Sequence, residues 1–514
     1  MNRLSAHLLS MVPSNDALTA LDMVSKSWIV HFLDAVPTFR SKHDFSLLDA
    51  LTSASSATNP TVVARGLMCF VLCLQQLPKD YDLNRIHLSN NRRALVEDVT
   101  SSIFSLVTSD DELVATQEGI ECLILQIIFF INAGQPRRAW LSSRRAIATA
   151  QLLGLHRIDE LSGNEGANTR KKSYSSVWPY ICHSERFLAL ILGVPSGVQD
   201  EQCPRPSSFG DLQDDSIDLR YLQQLDLIAG RIISREKVPS QKELLAAQTI
   251  QDELERLAES IPSSWWTVPS IMAAPDQIRT SVTYRRLRTQ IWHFQLEIYL
   301  NLPFMFSAIS SVKFEYSQFC CLRAARELIT RHALARKSTT TFSCCLTNFQ
   351  AFMAALILTI NLLRPSASHG PRQSESEKEA DWATVDRVIQ QLDAVDAKFD
   401  DRVSLQSVNV LKTLRALEFE PKRPVEDLRL TIPYFGTISI GRRAAPTNIM
   451  GQRREYHGSD SSEHHEMQLP LQQEWHDLLT IDLDIDDFGQ FPPAPDVLLQ
   501  DWSSGPSTYS WETE

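Results

Sequence analysis

Glycine is scarce in this chain, with 17 among 514 residues. That argues against a turn-rich β architecture and in favour of helices. No two of the nine cysteines are separated by two residues, so the sequence offers no Cys-x-x-Cys metal pair. The odd count and the lack of a secretory start speak against a disulfide framework and for a reducing compartment. No stretch carries the basic excess of a phosphate-binding surface. Long apolar runs are also missing: Ile120–Ile131 contains Glu121 and Gln126, and Ala351–Leu363 is short, so neither is expected to span a membrane.

Enzyme signatures are absent as well. There is no phosphate loop or dinucleotide fingerprint. Gly193-Val-Pro-Ser-Gly197 puts proline where a nucleophile elbow needs serine, and His464-His465-Glu466 is not the zinc-protease order. Scattered histidines such as His156 and His183 are expected to be structural. A calcium loop starting at Asp482 would need Gly and Glu where Asp487 and Pro493 stand. No catalytic residue, resident cofactor or metal is therefore expected.

What is present is helical periodicity, from about Leu18 to Leu417. Predicted helices cover Ala17–Val36, Thr61–Leu77, Asn91–Val107, Asp111–Ile131, Pro136–Leu153 and Ser173–Leu192. They continue over Leu212–Ser234, Gln241–Ser260, Ile278–Leu300, Phe314–Ala335, Thr341–Leu363 and Ala380–Lys398. No strands alternate with them, so the expected class is all-α. The expected organisation is a short lead over 1–17, then a helical body over 18–420 with a mobile loop near 364–378. An extended arm or short strand follows over 421–440, with Pro433 confining it to an edge. A polar linker covers 441–470 and a tail 471–514.

The formal net charge of −12 is unevenly placed. Residues 471–514 hold ten acids and no Lys or Arg, leaving −2 for the rest. Within that tail, acids alternate with large apolar groups, a pattern that keeps aromatic anchors solvated and free for a partner groove. It matches acidic activation segments that fold on coactivators, and Trp475, Leu478, Leu479, Phe488, Phe491 and Trp502 are the expected anchors. Arg442-Arg443 and Arg453-Arg454 fit either a nuclear-import signal or plain linker charge.

The segment Pro136–Arg157 is the most informative. Proline suits a first helical turn, and Gly154 suits a left-handed helix end. Ala139, Ser143, Ala146, Ala150 and Leu153 share one face of small residues, flanked by Trp140 and Ile147. Arg137, Arg138, Arg144 and Arg145 lie opposite. They form either a partner-docking stripe or a solvated face with local ion pairs.

The sequence here, Gly134, Ala139-Trp140 and Leu153-Gly-Leu-His-Arg157, resembles the fungal-specific transcription factor domain, the middle homology region of zinc-cluster regulators. The stretch Val177–Val198 is similar to that family's Trp-containing helix, with an acid-Arg pair at Glu185-Arg186 and a Leu-Gly-x-Pro end at Leu192–Pro195. Further similar stretches are Phe32–Phe39, Leu302–Met305, Glu315–Ser317, Cys321–Glu327 and Phe349–Ala355, so the resemblance runs from about Leu18 to Ile440. It implies a helical regulatory domain acting in the nucleus, with transcription coactivators as partners. It also implies a six-cysteine zinc cluster that contacts DNA, and no residues here match one. Either an upstream exon encodes that module, with its zinc, or the chain acts on DNA indirectly through a zinc-cluster partner or as a homodimer. A non-activating scaffold and a helical small-molecule sensor are the alternatives.

Overall fold

A computed structural model describes residues 2–26, 46–55, 59–88, 91–160, 177–204, 217–235, 241–267, 277–307, 314–338, 343–363, 373–399, 401–419, 428–432, 436–440 and 480–482. The chain divides into two units, Met1–Pro421 and Lys422–Glu514. The described residues of the first unit are helices, short 3-10 turns and connections, in accord with the all-α class.

The segment read as an N-terminal lead is helix α1 (Asn2–Leu9) and the start of α2 (Asn15–Ser25), and Leu8 and Leu18 are fully buried. Ser14 caps α2 by accepting a hydrogen bond from the Ala17 N–H. Helices α3 (Leu47–Ser55) and α4 (Pro60–Gln75) follow, the latter buried along nearly its whole length. Next come α5 (Arg92–Leu106), α6 (Asp111–Val114), α7 (Gln117–Asn132) and α8 (Pro136–Leu152). The single helix expected over Asp111–Ile131 is thus two. Thr116 interrupts it, because its hydroxyl accepts the Gly119 N–H at 3.1 Å and starts a new helix. Glu121, which broke the apolar run in the sequence, is fully buried and paired with Arg65 at 2.6 Å.

Beyond α9 (Val177–Leu192) lie α10 (Ile217–Ser234), α11 (Gln241–Glu259) and the short α12 (Ser263–Trp266). The long α13 (Gln277–Ser307) runs past the end expected at Leu300 and takes in Pro303. A proline there removes the N–H that would bond the Tyr299 carbonyl. Arg235 replaces that donor, reaching the Leu300 carbonyl at 2.7 Å and the Tyr299 carbonyl at 3.5 Å. Burial of Phe304 and Met305 rewards the extra turn.

The body closes with α14 (Glu315–Ser338), α15 (Cys345–Leu362), α16 (Glu375–Phe399) and α17 (Arg402–Phe419). Helix α15 falls within the expected Thr341–Leu363 and extends beyond the apolar run that starts at Ala351, so that by length and composition it could cross a membrane. Two thirds of it (67%) is buried among its neighbours, which explains its apolarity as core packing. Helix α16 begins inside the loop expected near 364–378. Ser374 accepts the Glu377 N–H while Glu377 accepts the Ser374 N–H, a reciprocal cap written in the sequence as Ser-x-x-Glu.

Helices adjacent in sequence mostly pack together: α7 on α8, α8 on α9, α9 on α10, α13 on α14 and α14 on α15. Helix α15 also touches α7, joining the early and late parts of the chain. A second apolar cluster gathers α10, α11, α12 and α13 around Tyr221, Trp265, Trp292 and Phe304. All nine cysteines are free, and all but the half-buried Cys344 are buried. Burial pushes the Cys73 thiol up to about 12, as expected of an inert core thiol.

In the second unit, β1 (Leu428–Ile432) pairs antiparallel with β2 (Gly436–Ile440), with Leu428 opposite Ile440 and Ile432 opposite Gly436. The extended arm or short strand expected over 421–440 thus contains two paired strands, and Pro433 lies outside the described residues. A third strand, β3 (Thr480–Asp482), pairs with β2, Thr437 opposite Asp482. The backbone of these three residues pairs along the open edge of β2. The rest of the polar linker and tail, including all six proposed anchors, lies outside the described residues.

Two buried histidines make the body acid-sensitive. Burial, with Arg323 and Arg331 nearby, pushes the His293 ring down to about 3, and burial beside Arg336 pushes His332 down to about 4. Both are neutral when folded, whereas the unfolded chain takes up their protons below about 6.5. Their contribution to stability is therefore full above about 6.5 and shrinks as pH falls toward the folded values. Asp218 and Glu297, whose carboxyls burial pushes up, act in the opposite sense, so a variant comparison isolates the rings. The urea midpoint of the parent is expected to fall with pH below about 6.5 more steeply than that of His332→Gln. Parallel profiles would contradict this.

Candidate regulatory site

The two segments that stood out in the sequence meet in space. Helix α8 starts at Pro136 and ends before Gly154, whose φ of 73° is the left-handed value anticipated for that position. Its small face is buried: Ala139, Ser143, Ala146 and Ala150 are fully covered, and α7 and α9 both lie against the helix. Small side chains allow that close approach. A 3-10 turn, Leu155–Glu160, then carries His156 to within 6.0 Å of the Trp178 ring on α9. The indole N–H of Trp178 donates to the Gln202 carbonyl at 2.7 Å, so the end of α8, α9 and the following loop are held as one piece.

That loop starts at Gly193, whose φ of 65° again needs the left-handed region. Glu185 and Arg186, adjacent on α9 and both fully buried, hold it. The Glu185 carboxylate accepts the Gly197 N–H at 2.7 Å and the Ser196 hydroxyl at 2.8 Å, with Arg144 of α8 3.7 Å away. Arg186 donates to the Val198 carbonyl at 3.3 Å, to the Asp200 carboxylate and to the Asp226 carbonyl on α10. An acid and a base buried side by side are expensive unless each is hydrogen-bonded, and here both are. The acid-Arg pair therefore clamps α8, α9, α10 and the Gly193–Cys203 loop together. Gly230 makes room for it: a Cβ there would stand 2.5 Å from both an Arg186 nitrogen and an Asp200 oxygen.

The four arginines of the expected docking stripe are exposed or half-buried, and all have local interactions. Arg138 lies 4.4 Å from the centre of the Phe130 ring and donates to Gln135. Arg144 turns toward Glu185 and packs 5.6 Å from the Trp140 ring. Arg145 donates to Asp111 at 2.6 Å. Arg137 is exposed. Leu141 and Leu152, 62% and 86% exposed, run along the same outer side of α8.

Sequence reasoning missed a second polar centre beside the clamp. His183, one turn before Phe187 on α9, shares a hydrogen bond with Asp226 at 2.8 Å between its Nδ1 and a carboxylate oxygen. Asp226 also accepts the Trp292 indole N–H at 3.3 Å. A small cavity of about 60 Å³ opens there, where α7, α9, α13 and α15 converge. Tyr180, His183, Phe187, Arg288, Trp292 and Gln350 are among its lining. The only hint in the sequence was the arginine cluster Arg285-Arg286-x-Arg288 just ahead of Trp292 and His293. A further group, Glu255, Glu297 and Cys320, has ligand atoms within 4.8 Å of one another, but Arg323 already pairs with both carboxylates. A cation is thus supplied by the protein itself.

No family model matches the chain. It is nevertheless similar to curated fungal regulators. Over 474 residues it is 29% identical to the dehydrocurvularin biosynthesis regulator of Aspergillus terreus, covering 86% of this chain and 65% of that protein. Over 461 residues it is 28% identical to transcription factor sdnS of Sordaria araneosa, covering 85% and 59%. Over a shorter 262 residues it is 34% identical to transcription factor eupR of a Phoma species, covering 49% and 54%. The chain thus spans less than two thirds of the length of these relatives.

The clamp and the stripe differ sharply in expected energetics. Removing one partner of a buried pair costs roughly 3–5 kcal/mol, so Glu185→Ala and Arg186→Ala are expected to lower unfolding stability by about that much. Gly230→Ala is expected to cost about 1–3 kcal/mol through overpacking. Arg145→Ala, which loses an ion pair to the exposed Asp111 and a hydrogen bond to the Ser109 carbonyl, both near the surface, should cost about 1 kcal/mol. Urea titration followed by far-ultraviolet circular dichroism orders the four variants. A cost for Arg145→Ala equal to that for Arg186→Ala would overturn the assignment.

Proposed function

We propose that this chain is the helical regulatory part of a fungal, pathway-specific transcription regulator, acting in the nucleus on a biosynthetic gene set. The observation that carries this reading is the similarity, over more than four fifths of the chain, to proteins named as biosynthesis regulators and transcription factors. The clamp adds support of a different kind. The residues that resemble the fungal-specific transcription factor domain, from Gly134 to Pro195, are those that lock α8, α9 and their loop into one scaffold. We assign the chain to that domain family on this ground.

Such a scaffold is suited to holding partners rather than turning over a substrate. The buried acid and base are consumed by structural hydrogen bonds, which is a poor arrangement for proton transfer. DNA contact is assigned to a zinc-cluster module or to a zinc-cluster partner. The outer side of α8, with Arg137, Arg138, Arg144, Arg145, Leu141 and Leu152, is the proposed partner-docking stripe. Coactivator contact is assigned to the acidic tail through Trp475, Leu478, Leu479, Phe488, Phe491 and Trp502.

Residues 471–514 fused to a foreign DNA-binding domain are expected to activate a reporter in a fungal host. Replacing the six aromatic and leucine anchors with alanine should abolish that activity while leaving the charge unchanged. A silent fusion would remove the activator assignment and favour a scaffold or inhibitor of a zinc-cluster factor. Capture of such a factor by the full chain would then be the deciding observation.

A further inference from the structure

The cavity between α7, α9, α13 and α15 brings apolar and polar side chains to one place. Its walls are mostly apolar and aromatic, with Phe187, Ile291, Trp292 and Leu346 among them. A few polar groups converge on it, the usual composition of a small-molecule site. Its volume is about 60 Å³, and the exposed Arg288 in its lining places it at the surface of the body.

The charges around it are not balanced in the same way as their neighbours. Three arginines sit close together on α13. Arg285 and Arg286 point to Asp218, at 3.3 and 3.7 Å. Arg288, one turn on from Tyr284, lines the cavity instead, and among the described residues no carboxylate pairs with it. Its guanidinium carbon lies 6.0 Å from the centre of the Tyr284 ring. Arg288 is exposed, so the cavity has a cation at its solvent side. The carboxylate of Asp226, which meets His183 of the cavity wall, is already occupied by that ring and the Trp292 indole. With Nδ1 of His183 facing Asp226, the opposite ring edge is what a ligand would meet.

We propose that this cavity is a binding site for a small organic monocarboxylate with a compact apolar body. The carboxylate pairs with Arg288 in the fork geometry that guanidinium offers, and the body lies against Phe187, Trp292 and Leu346. The site joins segments far apart in the chain: Ile131 ends α7, His183 is on α9, Arg288 on α13 and Thr347 on α15. A bound anion would therefore tie the early helices to the late ones, stabilising the folded body by mass action. This inference stands apart from the transcriptional reading and from the tail.

Benzoate is the probe, and its neutral analogue benzamide the control, with the full chain studied by titration calorimetry and thermal unfolding. Benzoate is expected to bind saturably and raise the melting temperature. Benzamide, and benzoate on Arg288→Gln, should bind about tenfold more weakly or worse, and Arg288→Lys should recover part of the loss. Arg288 is exposed, so these variants should keep the parent's circular dichroism. Thr347→Phe, which fills the cavity without touching the charge, should abolish binding. The proposal is overturned if millimolar benzoate gives no saturable heat. It is equally overturned if benzamide binds as well as benzoate, or if neither Arg288→Gln nor Thr347→Phe weakens binding.

Discussion

The burial of an acid and a base, adjacent on one helix, is the constraint from which the central architecture follows. Glu185 and Arg186 lie next to each other on α9, so they project to different sides and cannot satisfy one another. Each must be answered from elsewhere. Backbone and hydroxyl groups of the Gly193–Cys203 loop answer the glutamate, and that loop together with a carbonyl of α10 answers the arginine. The interior can tolerate these charges only while every piece is in place. The small face of α8, the left-handed turn at Gly193 and the missing side chain at Gly230 serve that arrangement.

A second consequence is directional rigidity. Because α8, α9, α10 and the intervening loop are bonded through polar groups, they are more constrained in orientation than apolar packing alone would make them. The cavity lies along the same α9 helix, one turn before the clamp, and shares Asp226 with it: the carbonyl of that residue takes Arg186 and its carboxylate takes His183. A ligand at His183 and Arg288 would therefore act directly on the clamped unit. Regulation of a helical scaffold needs no more than this, a site whose occupancy shifts the stability of elements that a partner also contacts.

Much of the helical body was legible in the sequence because the signals were local. Proline at 60 and 136 and the glycine at 154 mark helix ends through nearest-neighbour chemistry. Failures occurred where a distant group intervened. Helix α13 runs past the end expected at Leu300, and Arg235, 68 residues before Pro303 in the chain, answers the carbonyl that the proline leaves bare. The hairpin of β1 and β2 and the pairing of β3 depend on backbone partners that no periodicity encodes. The reciprocal cap at Ser374 and Glu377 is a different case, since its spacing was in plain view.

The sequence by itself determined the class of the fold, the order of the helices and the segments most worth attention, because periodicity, caps and composition are properties of neighbouring residues. It also settled the asymmetry of charge between body and tail. Only the tertiary structure decided what the chemistry-bearing residues do. It turned Glu185 and Arg186 inward as a clamp, sent Arg285 and Arg286 to Asp218, and left Arg288 facing a cavity. Which charge meets which depends on helices brought together from distant parts of the chain, and electrostatic and hydrogen-bond energies are set by those few ångströms.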